Sequence, residues 1–166
     1  MQTFRVTLAC TLLAAAAQAR AGEFSPELDR AIDACVQAVN QQNGGQILEW
    51  KVDWAQGGLA FDFEVVAPDN RVFTVRCEAG VVTASERKTG DKKYQMLSSR
   101  AKVAENAARQ AAATEYPAAE LRRMKYDLSW RGKPIYTYEW GLKDGRTAWV
   151  EVNGETGQID KTKSER

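Results

Sequence analysis

Residues 144–161 read DGRTAWVEVNGETGQIDK, and this stretch decides the fold class of the 166-residue chain. Asp-Gly at 144–145 and Asn-Gly at 153–154 are dipeptides typical of tight turns. Between them, at residues 147–152, apolar and polar side chains alternate with a period of two, as in a strand that buries one face. The stretch therefore predicts consecutive short antiparallel strands, and none of its residues is an obvious catalyst.

A helix is predicted ahead of an earlier set of strands. Ser25 is a good N-cap, Pro26 fits the first helical turn, and the Asn-Gly-Gly run at 43–45 ends the helix. Alternating strands follow near residues 48–54, 59–65, 73–77 and 81–85. The helix is expected to cover the apolar face of this meander, above the large side chains Trp50, Phe61, Phe63 and Phe73.

The pattern then recurs with a second helix and a second meander. Ser98 or Ser99 is the expected N-cap, and Tyr116-Pro117 is expected to stop the helix. The apolar side of this helix is small, and the strands opposite it carry large aromatic residues. The helix side comprises Val103, Ala104, Ala107, Ala108, Ala111 and Ala112, and the strands carry Tyr126, Trp130, Tyr138 and Trp140.

A shift of about 75 residues superposes the two patterns, placing Asp69 on Asp144 and Arg71 on Arg146. The predicted fold is α+β, with two tandem repeats that each pack one helix on a three- to four-stranded antiparallel β-meander. Repeat 1 is assigned to residues 22–90, and repeat 2 to residues 91–166.

Residues 1–21 are predicted to be a signal peptide. Arg5 supplies the positive start, a short apolar run follows, and two A-x-A cleavage patterns end at Ala19 and Ala21. No later apolar run is long enough to cross a bilayer. The protein is therefore expected in the periplasm or the extracellular medium, without membrane insertion of the mature chain.

The composition argues against several classes of function. A formal net charge of +1 argues against nucleic-acid binding, which needs a basic face. The absence of histidine removes His-based catalysis and most zinc or copper sites. Asp62 and Glu64 alternate with apolar residues and are expected on a solvated strand face. No catalytic residue, metal site or cofactor is predicted, and the chain is interpreted as not an enzyme.

Cys35 and Cys77 are the two cysteines of the mature chain. Cys35 lies on the apolar face of the first helix, and Cys77 shares its strand face with Val75, so both point to the same interface. Export to an oxidising compartment then favours a disulfide. The alternative is a pair of buried free thiols.

Trp149 is the candidate contact residue. It lies between Ala148 and Val150, which are expected under the second helix, so its side chain should point to the opposite, open sheet face. An exposed tryptophan is a candidate protein contact, and Thr147 and Glu151 share its face. The alternative is that the two repeats pack together and bury it.

The segment VEVNGETGQI at 150–159 resembles the C-terminal hairpin of PepSY domains, which has an alternating strand, a turn with Thr-Gly and a short final strand. The segment RCEAGVV at 76–82 keeps the glycine and lacks the Thr-Gly. The resemblance covers about residues 24–90 and 96–163. It implies an exported, non-enzymatic protein-binding module that restrains a peptidase, as in propeptides of thermolysin-type metalloproteases, with an exported or membrane protein as partner.

At the level of the fold, tandem helix-plus-meander repeats also resemble β-lactamase inhibitory protein, although fold does not fix function. Two other functions stay open. One is a periplasmic sensor of a small ligand or of envelope stress, which would serve a membrane partner and bind a molecule between the repeats. The other is an enzyme with carboxylate chemistry, which would need carboxylates converging in one pocket.

Overall fold

The computed structural model describes residues 24–54, 58–88 and 101–165. The predicted signal peptide lies outside the described residues. The fold is α+β, as predicted, and the described residues form two helices and eight strands in one antiparallel sheet. The elements are α1 (Pro26–Asn43), β1 (Gln46–Asp53), β2 (Ala60–Val66), β3 (Val72–Glu78), β4 (Val81–Lys88), α2 (Glu105–Ala113), β5 (Glu120–Leu128), β6 (Pro134–Gly141), β7 (Thr147–Asn153) and β8 (Ile159–Glu165).

The strands follow the order β4-β3-β2-β1-β5-β6-β7-β8, so the first strand of each meander lies at the centre of the sheet. The two meanders meet along β1 and β5, where Glu49 pairs with Lys125, Trp50 with Met124 and Lys51 with Arg123. Both helices share one core cluster with the sheet. The division into two repeat domains near residue 90 stays a prediction, since one sheet and one core extend across it.

α1 forms as its sequence predicts. The Ser25 side chain accepts a hydrogen bond from the backbone N–H of Leu28, at 3.1 Å, and Pro26 occupies the first turn. Leu28, Ile32, Cys35 and Val39 recur at helical spacing and form its buried face. Of the large side chains expected beneath this helix, Trp50, Phe61 and Phe63 are fully buried, and Phe73 is partly buried.

α2 begins later than predicted. It starts at Glu105 with Ala104 at the N-cap, which makes no side-chain capping bond, and Ser98 and Ser99 lie outside the described residues. The physical reason is a long-range contact. The backbone N–H groups of residues 102 and 103 both donate to the carbonyl of Gly154, at 2.8 and 2.9 Å, and this attachment to the β7–β8 turn holds them out of the helix.

Two tryptophans expected in strand cores are exposed instead. Trp54 follows the end of β1 and is 40% exposed, and Trp130 lies in the turn between β5 and β6 and is 87% exposed. In both places the alternating pattern continues past the last paired residue, so periodicity alone predicted too long a strand. Among the described residues, no helix is long and apolar enough to cross a membrane.

The contact of α2 with the sheet depends on alanine. Ala108 and Ala112 are fully buried against β6 and β7, whereas Ala104 and Ala107 are exposed, which corrects their predicted placement. We expect Ala108→Leu to lower the free energy of unfolding by about 1–3 kcal/mol, because the added volume has no space. Ala107→Leu is the matched control and should change it little. Equal urea midpoints for the two variants would contradict this packing.

Candidate functional site

The sheet face opposite the helices is open to solvent and carries a dense set of ion pairs. On the first meander, the Arg76 guanidinium contacts Asp53, Asp62 and Glu78 at 2.8, 3.0 and 2.9 Å. Near the seam, Glu49 pairs with Lys51 on its own strand and with Arg123 on β5, at 3.1 and 2.8 Å. These charges compensate one another, which leaves little unpaired charge here for a ligand.

Trp149 differs from these neighbours. It lies on β7 between the buried residues Ala148 and Val150, and its half-buried side chain is on the open face, as its position predicts. In the strands of the described residues it is the one aromatic side chain on that face, because every other strand aromatic alternates toward the helices. Its cross-strand neighbours are Glu139 on β6 and Lys163 on β8.

The structure places Thr147 and Glu151 on the same face of β7 as Trp149. Thr147 pairs with Gly141 on β6, and a Cβ atom at Gly141 would lie 2.3 Å from the Arg122 guanidinium. Glycine at this position therefore lets Arg122 lie over Gly141, the cross-strand partner of Thr147, where it also pairs with Glu120 at 3.4 Å. We define the Trp149 patch as Arg122, Glu139, Thr147, Trp149, Glu151 and Lys163.

The predicted disulfide is present between Cys35 and Cys77, with a Cα–Cα distance of 5.7 Å. Both residues are fully buried. The bridge attaches α1 to β3, and it replaces the alternative of two free thiols. It lies in the first half of the chain, away from the Trp149 patch.

Sequence reasoning missed the buried guanidinium of Arg109 on α2, which has no exposed surface. It donates to Asp29 and Asp33 on α1 at 2.8 and 2.5 Å, and to Glu105 one turn before it at 2.8 Å. The Tyr138 hydroxyl lies 3.2 Å from the Glu105 carboxylate. The only signal in the sequence is the i,i+4 pair of Glu105 and Arg109, a spacing common on exposed helices.

Burial perturbs the titration of this cluster. Burial raises the pKa of the Glu105 carboxyl, although the Arg109 guanidinium opposes that effect. Burial also raises the pKa of the Tyr138 hydroxyl, so this group stays neutral and donates its proton. For Arg109, burial disfavours the charge, yet the carboxylates around it outweigh burial and raise its pKa. The cluster joins α1, α2 and β6 and functions as a structural link.

A cleft of ≈ 1120 Å³ lies between the two helices, above the seam of the sheet. Trp50, Ile47 and Met124 contribute apolar surface, and Gln37 and Glu105 contribute polar surface from the two helices. The Trp50 indole N–H lies close to the Glu105 carboxylate and lowers the pKa of that carboxyl. Its position does not meet the geometry of a hydrogen bond to any described residue.

The carboxylates considered for catalysis do not converge. Asp62 bonds Arg76 and Glu64 bonds Lys88, both on the open sheet face. Within the described residues, no group of three or more histidine, cysteine, aspartate or glutamate side chains could hold a metal ion. Asp62 and Glu64 therefore form ion pairs on the solvated sheet face.

A family model and two solved structures match parts of the chain. The family model described as "Peptidase propeptide and YPEB domain", abbreviated PepSY, matches residues 102–162. A candidate lipoprotein from Clostridium difficile 630 shares the fold with a TM-score of 0.53 at 14% identity, over 81% of this chain and 91% of that chain. The YpeB C-terminal domain from Bacillus megaterium aligns with a TM-score of 0.32 at 12% identity, over 87% and 67% of the two chains.

No curated protein matches the sequence. At 14% identity, the likeness to the Clostridium protein shows the fold alone. The matched residues begin just before α2, extend into β8 and include every member of the Trp149 patch except Lys163. Residues 102–162 therefore match the PepSY domain family.

Proposed function

We propose that this chain is an exported, non-enzymatic protein-binding module that restrains a peptidase through the Trp149 patch. The single observation that carries the proposal is a half-buried tryptophan, inside the matched PepSY residues, on a sheet face where most side chains are polar and many are ion-paired. The partner is an exported or membrane protein, and the chain acts in the periplasm or the medium after removal of residues 1–21.

The patch has the composition of a protein contact. Tryptophan and arginine are the residues that most often dominate binding energy, and Arg122 lies over Gly141 on the same face as Trp149. Glu139 and Lys163 flank the tryptophan on the neighbouring strands and form a charged rim. An apolar centre with a charged rim favours a folded protein surface over a small ligand.

The first half of the chain is proposed to be a second PepSY-like repeat, over residues 22–90. Its order of one helix and four strands is the same as that of the matched half. It lacks an aromatic residue at the place of Trp149, because β3 presents Thr74 and Arg76 to the open face. We therefore assign partner binding to the second half and a supporting role to the first.

The test measures peptidase inhibition by the mature chain. Purified exported metallo-, serine, cysteine and aspartic peptidases are titrated with the protein, and hydrolysis of a fluorogenic peptide is followed. We expect inhibition of at least one class, and we expect Trp149→Ala to weaken it about thirtyfold, as for removal of a hot-spot residue. The melting temperature of the variant should be nearly unchanged.

Trp54→Ala is the matched control, because Trp54 is 40% exposed and lies beyond the end of β1. It should leave the inhibition constant unchanged. Absence of inhibition for every class would contradict the proposal. A large drop in the melting temperature of Trp149→Ala would assign that residue to the core instead.

The cleft between the helices favours a second candidate function, the sensing of a small ligand. It is large enough for a drug-sized molecule, and the buried side-chain oxygen of Gln46, on its wall, has no hydrogen-bond partner in the described part of the chain. Native mass spectrometry of the protein purified from its host separates the two functions. A retained small molecule that is lost in Met124→Trp would support the sensor.

A further inference from the structure

The hairpin between β5 and β6 ends in an exposed aromatic side chain. Trp130 is 87% exposed, more than any other large apolar residue in the described ranges, and it lies at the tip of the turn Ser129–Lys133. A tryptophan at such a position leaves a large apolar surface in water. Trp130 belongs neither to the core nor to the Trp149 patch, because the hairpin tip lies at one end of the sheet.

The turn holds this side chain in a fixed place. The backbone N–H of Gly132 donates to the Ser129 carbonyl at 2.7 Å, and the backbone N–H of Ser129 donates to the Lys133 carbonyl at 2.8 Å. Gly132 has φ 73°, which few other residues adopt easily, and the Ser129 hydroxyl accepts from the Lys133 N–H at 3.0 Å. The turn therefore requires the Ser129 side chain and the backbone freedom of Gly132, and it does not require tryptophan at position 130.

Two positively charged residues lie beside Trp130 in the turn. The Arg131 guanidinium lies over the Trp130 ring, 4.4 Å from its centroid, and Lys133 is exposed on the other side of the turn. Neither Arg131 nor Lys133 has an ion-pair partner within residues 24–54, 58–88 and 101–165.

We propose that this hairpin tip binds the surface of an anionic phospholipid membrane. Tryptophan rings concentrate at the headgroup level of bilayers, and arginine and lysine are attracted to lipid phosphates. The contact is with the membrane surface and does not cross the bilayer. It goes beyond peptidase restraint and uses other residues, so the open sheet face stays free for a protein while the tip contacts lipid.

The shape of the tip favours a membrane over a protein pocket. A protein hot spot is ringed by further contact residues that exclude water. Within the described ranges, Trp130 has no exposed large apolar neighbour. The other two such residues are Trp54, which follows β1 at the opposite end of the sheet, and Val81, at the start of the edge strand β4. A bilayer interface needs only a protruding aromatic ring and adjacent cations.

The test is co-sedimentation of the mature chain with vesicles. Vesicles of phosphatidylcholine with phosphatidylglycerol are compared with vesicles of phosphatidylcholine alone, at low and at high salt. We expect binding to the anionic vesicles only, weakened by salt. Trp130→Ala should lower the partition coefficient about tenfold, and the double variant Arg131→Gln/Lys133→Gln should lower it and reduce its salt dependence.

Trp54→Ala is the control and should partition like the unmodified chain. All four side chains are exposed, so circular dichroism should show each variant folded. Failure to sediment with anionic vesicles, or equal partition of Trp130→Ala, would overturn the proposal. Loss of peptidase inhibition in Trp130→Ala with unchanged vesicle binding would show that the tip contacts a protein. Vesicle binding without any peptidase inhibition would support the tip alone and reject the proposed function.

Discussion

Arg109→Ala is expected to lower the free energy of unfolding by about 3–5 kcal/mol, the usual cost of removing one partner from a buried ion pair. The change would leave the carboxylates of Asp29 and Glu105, which are 20% and 17% exposed, without their cation. Asp33 is 48% exposed, so water compensates part of its loss and the lower half of the range is expected. Urea unfolding followed by tryptophan fluorescence measures the effect.

The matched control is Arg30→Ala on the outer face of α1. Arg30 pairs with Glu27 at 3.3 Å, and both side chains are largely exposed, so the loss should stay within about 0.5 kcal/mol. Arg109→Lys should fall between the two, because an ammonium group keeps the charge but not the planar fork that contacts three carboxylates. Similar losses for Arg109→Ala and Arg30→Ala would show that the cluster stabilises nothing.

Loss of the Cys35–Cys77 disulfide is expected to have an effect of similar size. The bridge joins residues 42 apart in sequence, and the chain-entropy estimate for a loop of that length is about 4 kcal/mol. The variant Cys35→Ala/Cys77→Ala should unfold at a lower urea concentration than the unmodified chain by a corresponding amount. The change should loosen α1, because the bridge is its covalent attachment to β3.

Reductant provides the internal control for this prediction. It should destabilise the unmodified mature chain and leave the double variant unchanged, since the third cysteine, Cys10, lies in the predicted signal peptide. An unmodified chain with the same melting temperature in the presence and absence of reductant would contradict the assigned contribution.

The features predicted correctly are those set by local patterns. Ser25 and Pro26 are adjacent signals for the start of α1, and the structure uses both. The pairing of Cys35 with Cys77 followed from two periodicities, one helical and one alternating, that point at the same interface. The open-face position of Trp149 followed from alternation within a single strand.

The features missed depend on residues distant in sequence. The late start of α2 results from hydrogen bonds to Gly154, about 50 residues away, which no local signal near Ser98 reveals. Burial of Arg109 requires the acids of a helix 76 to 80 residues earlier. The exposure of Trp130 reflects where strand pairing ends, and alternation continues past that point. The joining of both meanders into one sheet requires β1 to meet β5.

That junction of β1 and β5 also sets the order in which the molecule can assemble. Each meander closes hydrogen bonds between neighbouring strands, but the seam joins residues 74 apart, such as Glu49 and Arg123. Loop closure over this length is slow relative to hairpin formation. The half that forms first therefore presents one strand with open backbone groups. Charged side chains line either edge, Glu49 and Lys51 on β1 and Arg123 and Lys125 on β5, and charges on a temporary edge discourage pairing with a second molecule.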